Sequence, residues 1–189
     1  MGKGKCIIFS APSGGGKTTL VKYLLGKSDL NLIFSISATT RKKRNNEQNG
    51  VDYIFLNKDV FNEKVKSGEF LEFEEVYNGT FYGTLNKSVN DILKNHNVIF
   101  DIDVEGGIKL KNHFKENALS IFVKPPSIEE LQKRLKNRNK DSMDSVSIRL
   151  SKANYELTKE KHFDQTIIND ELQSAKNEAY KLVSQFLKK

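Results

Sequence analysis

Short apolar runs alternate with longer amphipathic stretches along this chain. Lys5 to Phe9 reads as a strand and leads through a small polar turn into Lys17 to Leu25, where Leu20, Leu24 and Leu25 recur at helical spacing. Strand signals return at Leu32 to Ser35, Val98 to Ile102, Leu119 to Val123 and Gln165 to Ile168, which makes five in all. Ser127 with Glu130 reads as a capping box opening a helix whose apolar stripe is Ile128, Leu131 and Leu135, and Pro125 and Pro126 punctuate its entry. Val146, Leu150, Ala153 and Leu157 mark a further helix, and Leu172, Ala175, Ala179, Leu182 and Phe186 mark the terminal one. Strands that alternate with helices predict an α/β fold around a five-stranded parallel sheet with helices on both faces.

Two stretches depart from this alternation. Residues 36 to about 85 are rich in charge, glycine and short alternating segments, and Asn137 to Ser145 is polar throughout. Both read as mobile pieces of the kind an active site needs if it closes over phosphates and excludes water. Ordinary surface insertions are the alternative.

A chain of 189 residues has room for one compact core. Its single cysteine, Cys6, forms no internal disulfide and suits a reducing compartment, and the apolar run Cys6 to Phe9 is too short for a signal segment or a membrane span. A cytoplasmic protein without a membrane partner is expected. The net charge of +7 permits nucleic-acid binding, but the lysines are spread among acids with no aromatic-basic platform, so no nucleic-acid partner is expected. The same charge suits an enzyme whose substrates are both polyanions.

The polar turn after the first strand supplies the chemistry. Ala11-Pro12-Ser13-Gly14-Gly15-Gly16-Lys17-Thr18 matches the phosphate-loop pattern G-x-x-x-x-G-K-[S/T] except at its first position. Its three glycines are expected to adopt positive φ and bring backbone N–H groups to an anion at the helix N-terminus. Lys17 is placed to reach the β- and γ-phosphates, and the Thr18 hydroxyl to meet Mg²⁺. Ala11 is expected not to need a positive φ.

The loop names only a nucleoside triphosphate. In the middle segment Arg41 and Arg44 stand three apart, a spacing suited to clamping an anion, and Tyr53 and Tyr82 add phenolic donors. Guanine presents N1–H and an exocyclic amine as donors and O6 as an acceptor, so its pocket needs a carboxylate and a hydroxyl. Glu72 and Thr84 supply them, and adenine in the same place would leave buried groups unpaired, a mismatch that reaches about 10⁴-fold. Glu74 competes with Glu72, because the two share a face of any strand there. Asp101 and Asp103 project to one face at the end of an apolar strand, where open α/β sheets bind ligands; Asp103 also suits a helix N-cap. His96, His113 and His162 are scattered and read as surface residues.

With these residues in place the chain resembles guanylate kinase over nearly its whole length. The resemblance rests on Ser37 through Arg44, Gly50-Val51-Asp52-Tyr53, Phe70-Leu71-Glu72, Tyr82-Gly83-Thr84, Asp101 through Gly106, Arg134 through Arg138, Arg149-Leu150 and Ile168-Asn169-Asp170. It implies the fold of phosphate-loop nucleoside monophosphate kinases, with a core of residues 1–35, 86–136 and 151–189, a GMP-binding segment at 36–85 and a lid at 137–150. It implies transfer of the γ-phosphate of ATP to GMP with Mg²⁺, in a monomer or homodimer. Ser37, Arg41, Arg44, Tyr53, Glu72, Tyr82, Gly83, Thr84 and Asp103 are expected around GMP. Arg138 and Arg149 are expected at the transferring phosphate, Asn169 at the adenine of ATP, and Thr18 with Asp101 at the metal. Between Glu72 and Tyr82 the chain carries one residue more than the commonest family spacing, around Tyr77-Asn78-Gly79-Thr80. The same fold also serves as a protein-interaction module, against which the intact loop argues, and another nucleoside monophosphate kinase is disfavoured by Glu72 and Thr84.

Overall fold

A computed structural model describes residues 4–77, 79–138 and 143–189, and the side chains of residues 77, 137, 138 and 143–148 lie outside that description. In chain order the elements are β1 (Cys6–Ser10), α1 (Lys17–Leu25), β2 (Leu32–Phe34), β3 (Ala38–Thr39), β4 (Ile54–Phe55), α2 (Lys58–Lys66), β5 (Phe70–Tyr77) and β6 (Thr80–Leu85). They continue as α3 (Asn86–Leu93), β7 (Asn97–Ile102), α4 (Val104–Phe114), β8 (Ala118–Lys124), α5 (Ile128–Arg138), α6 (Met143–Leu157), β9 (Gln165–Ile168) and α7 (Leu172–Lys188). The five strands read from the apolar runs form one parallel sheet in the order β2-β7-β1-β8-β9.

Strand β1 is buried at every position, as a central parallel strand must be, and its alternation feeds two cores. Ile7 and Phe9 pack with Leu20, Val21 and Leu24 of α1 and with Ala175, Ala179 and Val183 of α7. Cys6 and Ile8 pack on the opposite face with Val89 and Leu93 of α3 and Leu110 of α4. Helices therefore cover both faces. The chain leaves β1 for the β2 edge, returns through β7, and crosses β1 to reach β8, so β1 lies at the switch point where such sheets open a crevice at their carboxyl ends.

Ser127 caps α5, with the Glu130 amide donating to Ser127 Oγ at 3.1 Å, while the Glu130 carboxylate pairs with Arg134 at 3.0 Å instead of completing a capping box. Leu131 and Leu135 are buried against Ala153 of α6, whereas Ile128, the first residue of α5, stays 45% exposed ahead of that contact. Leu172 likewise opens α7 on the exposed side. The three histidines are exposed. Among the described residues no helix is long and apolar enough to cross a membrane.

Residues 36–85 are more regular than their sequence suggests. They form a second sheet in the order β4-β3-β6-β5, closed by the β5–β6 hairpin. Helix α2 buries one residue against it, Phe61, whose ring stacks on Phe70 at 4.5 Å and lies 5.6 Å from Phe81. Periodicity missed this unit because β3 and β4 are two residues long and α2 has a single buried apolar position.

One close approach fixes where α4 meets β1. A Cβ built on Gly107 would fall 2.2 Å from Ser10 Oγ, a hydroxyl that donates to the Asp103 carbonyl at 3.0 Å. Gly107→Ala should therefore lower stability by about 1–3 kcal/mol through overpacking, read as a lower urea midpoint at constant slope. A midpoint equal to the parent's would show that this contact yields freely.

Candidate active site

The loop between β1 and α1 adopts the shape that an anion site requires, by a division of labour among its glycines. Gly14 and Gly16 have φ of +89° and +94°, in the region that side chains rarely adopt. Gly15 does not, contrary to the expectation for all three glycines; it is needed for close packing, since its Cβ would lie 2.9 Å from Ala11 Cβ and 3.1 Å from the Val123 carbonyl oxygen. Ala11 takes no positive φ, so it replaces the pattern's first glycine without strain. Leu131 and Leu135 of α5 close on Gly14, with methyl carbons 3.1 and 3.2 Å from a built Cβ. Asn169 Nδ2 donates to the Gly15 carbonyl at 2.9 Å and leaves no room for a side chain at Gly16. No acidic residue stands in the first turn of α1, so nothing in that turn competes with an incoming anion.

Lys17 donates to the Asp101 carboxylate at the carboxyl end of β7, across the register that sets Phe9 beside Asp101. Thr18 is exposed at the mouth of the loop. One hydroxyl and one carboxylate are the hard oxygen donors that Mg²⁺ takes when phosphates and water complete its shell. Asp103 caps α4, accepting from the Gly106 amide at 2.8 Å, and the same residue also lines a cavity beside Glu72.

That loop forms one wall of a cavity of about 250 Å³, completed by Val76, Asp103, Arg149, Lys152 and Glu156. A second cavity of about 220 Å³ is lined by Ser37, Tyr53, Glu72, Val76, Tyr82, Gly83, Asp101, Ile102 and Asp103. Val76 and Asp103 belong to both. Six of the nine residues expected around GMP thus line one cavity that abuts the loop. Thr84 stands behind it, opposite Glu72 across the hairpin, and donates its hydroxyl to Glu72 Oε1 at 2.6 Å.

The register also separates the two rival carboxylates. Glu74 is turned to Lys109 of α4, whereas Glu72 is 6% exposed and faces the cavity. Burial, with Asp103 nearby, overrides the Thr84 hydrogen bond and pushes the Glu72 carboxyl up to about 7. Gly106 permits the approach: its Cβ would lie 3.0 Å from Glu72 Oε2 and 2.7 Å from Ile102 Cδ1.

The two arginines part company. Arg41 forms a fork with Glu47, at 2.6 and 3.0 Å, and lies over the Tyr53 ring at 5.3 Å from its centroid. This pairing raises the Arg41 pKa and lowers that of Glu47. Arg44 is exposed, and its amide donates to Glu47 at 2.8 Å. On the other side of the loop, Arg134, Asn169, Asp170 and Leu172 line a shallower recess with Gly14, Gly16 and Thr19. Arg134 donates to the Asn169 carbonyl at 3.1 Å. Arg138 closes α5, but its side chain lies outside the description, as do the other side chains of 137–148 in the stretch expected to form a lid.

Sequence reasoning overlooked Glu47, Val76, Lys152 and Glu156. Glu47 sits in a run of charges that hides it, and Val76 reads as any strand residue. Glu156 was accessible in principle, since it follows Arg149 by seven residues, two helical turns on one face.

The comparisons with known proteins agree with one another. The sequence model of a family described as guanylate kinase matches residues 3–189. Proteins named guanylate kinase from Bacteroides thetaiotaomicron and Bacteroides fragilis are 50% and 49% identical over 187 residues, 98% of this chain and 91% of each relative. One from Fusobacterium nucleatum is 42% identical over the full length of both. A crystal structure of guanylate kinase from Anaplasma phagocytophilum superposes with a TM-score of 0.77 at 28% identity, covering 100% of this chain and 89% of that one. A shikimate kinase from Bacteroides thetaiotaomicron, 13% identical with a TM-score of 0.53, shares the fold alone.

The Glu72 shift has a signed consequence for stability. Its carboxyl titrates near 4.5 when unfolded and about 7 when folded, so folding favours the protonated form. The penalty is absent below about pH 4.5, grows as pH rises, and is complete above about pH 7. Glu72→Gln keeps an acceptor for Thr84 and removes the charge, so it should raise the melting temperature by roughly 2–8 °C at pH 8 and by almost nothing at pH 4.5. A difference that does not vary with pH would contradict the buried-carboxylate assignment.

Proposed function

We propose how labour is divided in this site from one premise: the chain belongs to the guanylate kinase family and transfers the γ-phosphate of ATP to GMP, forming ADP and GDP. The carrying observation is that the loop cavity and the Glu72 cavity share Val76 and Asp103, so a nucleotide on the Lys17 loop and a nucleotide beside Glu72 would adjoin each other.

In this reading the loop amides and Lys17 hold the β- and γ-phosphates of ATP, and Asp101 gives up Lys17 as they arrive. Thr18 and Asp101 would hold Mg²⁺, which would supply charge neutralisation to the phosphates. Asn169 braces the loop and, with Arg134, borders the adenine. Guanine enters with N1–H and its exocyclic amine directed at the Glu72 carboxylate, and the Thr84 hydroxyl turns from Glu72 toward O6. Ser37, Gly83 and Asp103 border the nucleoside, and Arg41, Arg44, Tyr53 and Tyr82 take the GMP phosphate. Arg41 is held ready by Glu47, so it loses little side-chain entropy on binding.

Arg149, with Arg138, faces the charge that builds on the transferring phosphoryl group. The acceptor is already a phosphate oxygen, so no general base is required. Residues 36–85 act as the GMP-binding segment and 137–150 as the lid, and their closure excludes water and sets the geometry. The free thiol of Cys6 fits a cytoplasmic setting, and a site drawn from one chain suits a monomer or homodimer acting in guanine nucleotide synthesis and GMP recycling.

Two substitutions separate the donor and acceptor roles in a coupled assay of ADP release. Lys17→Ala should lose turnover by a factor on the order of 10³ while still unfolding cooperatively. Glu72→Gln should lower kcat/KM for GMP by about 10²-fold or more and leave the KM for ATP within about twofold. Near-parental turnover in the first, or equal losses for both substrates in the second, would overturn the assignment.

A further inference from the structure

The loop cavity holds a cation that the division of labour above does not use. Lys152 lines it together with Lys17 and Arg149. Arg149, Lys152 and Glu156 follow one another by three and four residues along α6, a spacing that puts them on one face of the helix, and all three border the cavity. Packing fixes α6 beside the loop: Ala153 is fully buried with Leu131 and Leu135, the two leucines that close on Gly14. A little further on, Tyr155 Oη donates to Glu105 Oε1 of α4 at 3.1 Å, and Lys159 Nζ lies 3.4 Å from that oxygen. The turn that carries Lys152 is therefore anchored to the core.

We infer, on the reading that seats ATP in this loop, that Lys152 is a further ATP-binding residue whose ammonium meets the terminal phosphate, leaving Glu156 as the triphosphate arrives. The cavity is bounded by the loop and by Val76 and Asp103, which also border the Glu72 cavity, so the phosphate nearest to GMP is the one that lies in it. Among the described residues its wall sets Lys17, Arg149 and Lys152 against Asp103 and Glu156, and the third cation gives the balance that suits a polyanion. Lys152 Nζ stands 3.9 Å from Glu156 Oε1, beyond hydrogen-bonding distance, and its side chain is 41% exposed on a flexible four-carbon stem, so the ammonium is able to turn to a phosphate. Burial pushes the Glu156 carboxyl up to about 7, which weakens its hold on Lys152 further.

Calorimetric titration of the full chain with the non-hydrolysable ATP analogue AMPPNP and with ADP tests this. Lys152→Met should weaken AMPPNP by about fivefold or more and ADP by less than about twofold, because ADP lacks the phosphate concerned. In the coupled assay the same variant should raise the KM for ATP by a similar factor and leave the KM for GMP within about twofold. Lys152→Arg, which keeps the charge, should bind AMPPNP within about threefold of the parent. Parental AMPPNP binding in Lys152→Met, equal losses for AMPPNP and ADP, or an Arg variant as impaired as the Met variant would each overturn the inference. Parental AMPPNP binding in Lys17→Ala would instead overturn the seating of ATP in the loop, and the inference with it.

Discussion

A site that closes on two phosphate-bearing molecules must hold its charges in a partly buried volume before either arrives, and the structure shows how each is kept. Lys17 rests on Asp101, and Arg41 on Glu47. Each pair offsets the desolvation of its members and gives the cation a fixed place. Glu72 is treated differently. Among the described residues no cation forms an ion pair with it; it receives one hydroxyl, from Thr84, and burial outweighs that bond and the more distant Lys109 charge, shifting its equilibrium toward the protonated form.

These arrangements follow from the backbone. The parallel register of β1 with β7 and β8 brings the loop, Asp101 and Asp103 to one edge of the sheet. The β5–β6 hairpin sets Glu72 opposite Thr84, and Gly106 lets α4 approach closely enough to bury the carboxylate. The phosphate loop is fixed in turn by Asn169 from the far side of the sheet and by leucines of α5. In the proposed division of labour, binding is an exchange of partners, with substrate phosphates replacing protein carboxylates on Lys17 and Arg41.

Much of this was legible in the chain. The five core strands are short apolar runs bounded by turns, and a fully buried parallel sheet writes that pattern plainly. Its glycines, lysine and threonine made the loop readable, because few residues satisfy that backbone. The second sheet was not legible, because two-residue strands have no periodicity and its core is a cluster of phenylalanines around Phe61 that meets only in three dimensions. Among the site residues, those that line the Glu72 cavity could be named from the resemblance and from hydrogen-bond complementarity. What could not be read was pairing in the empty protein: that Arg41 is held by Glu47, and that Thr84 turns its hydroxyl to Glu72. Such contacts depend on register and bulges, and no local pattern records them.

The central claim is that Glu72 is a buried carboxylate whose charge is stabilised by guanine. It is tested most directly by titrating the ¹³C-labelled glutamate carboxyls by NMR, with Glu72 assigned by its loss in Glu72→Gln, in free protein and at saturating GMP. The account predicts a midpoint of about 7 in the free protein. It predicts a fall to roughly 5 or below with GMP, as the base donates two hydrogen bonds to the charged form. A midpoint near the ordinary carboxylate value in the free protein, or one that GMP leaves unmoved, would contradict it.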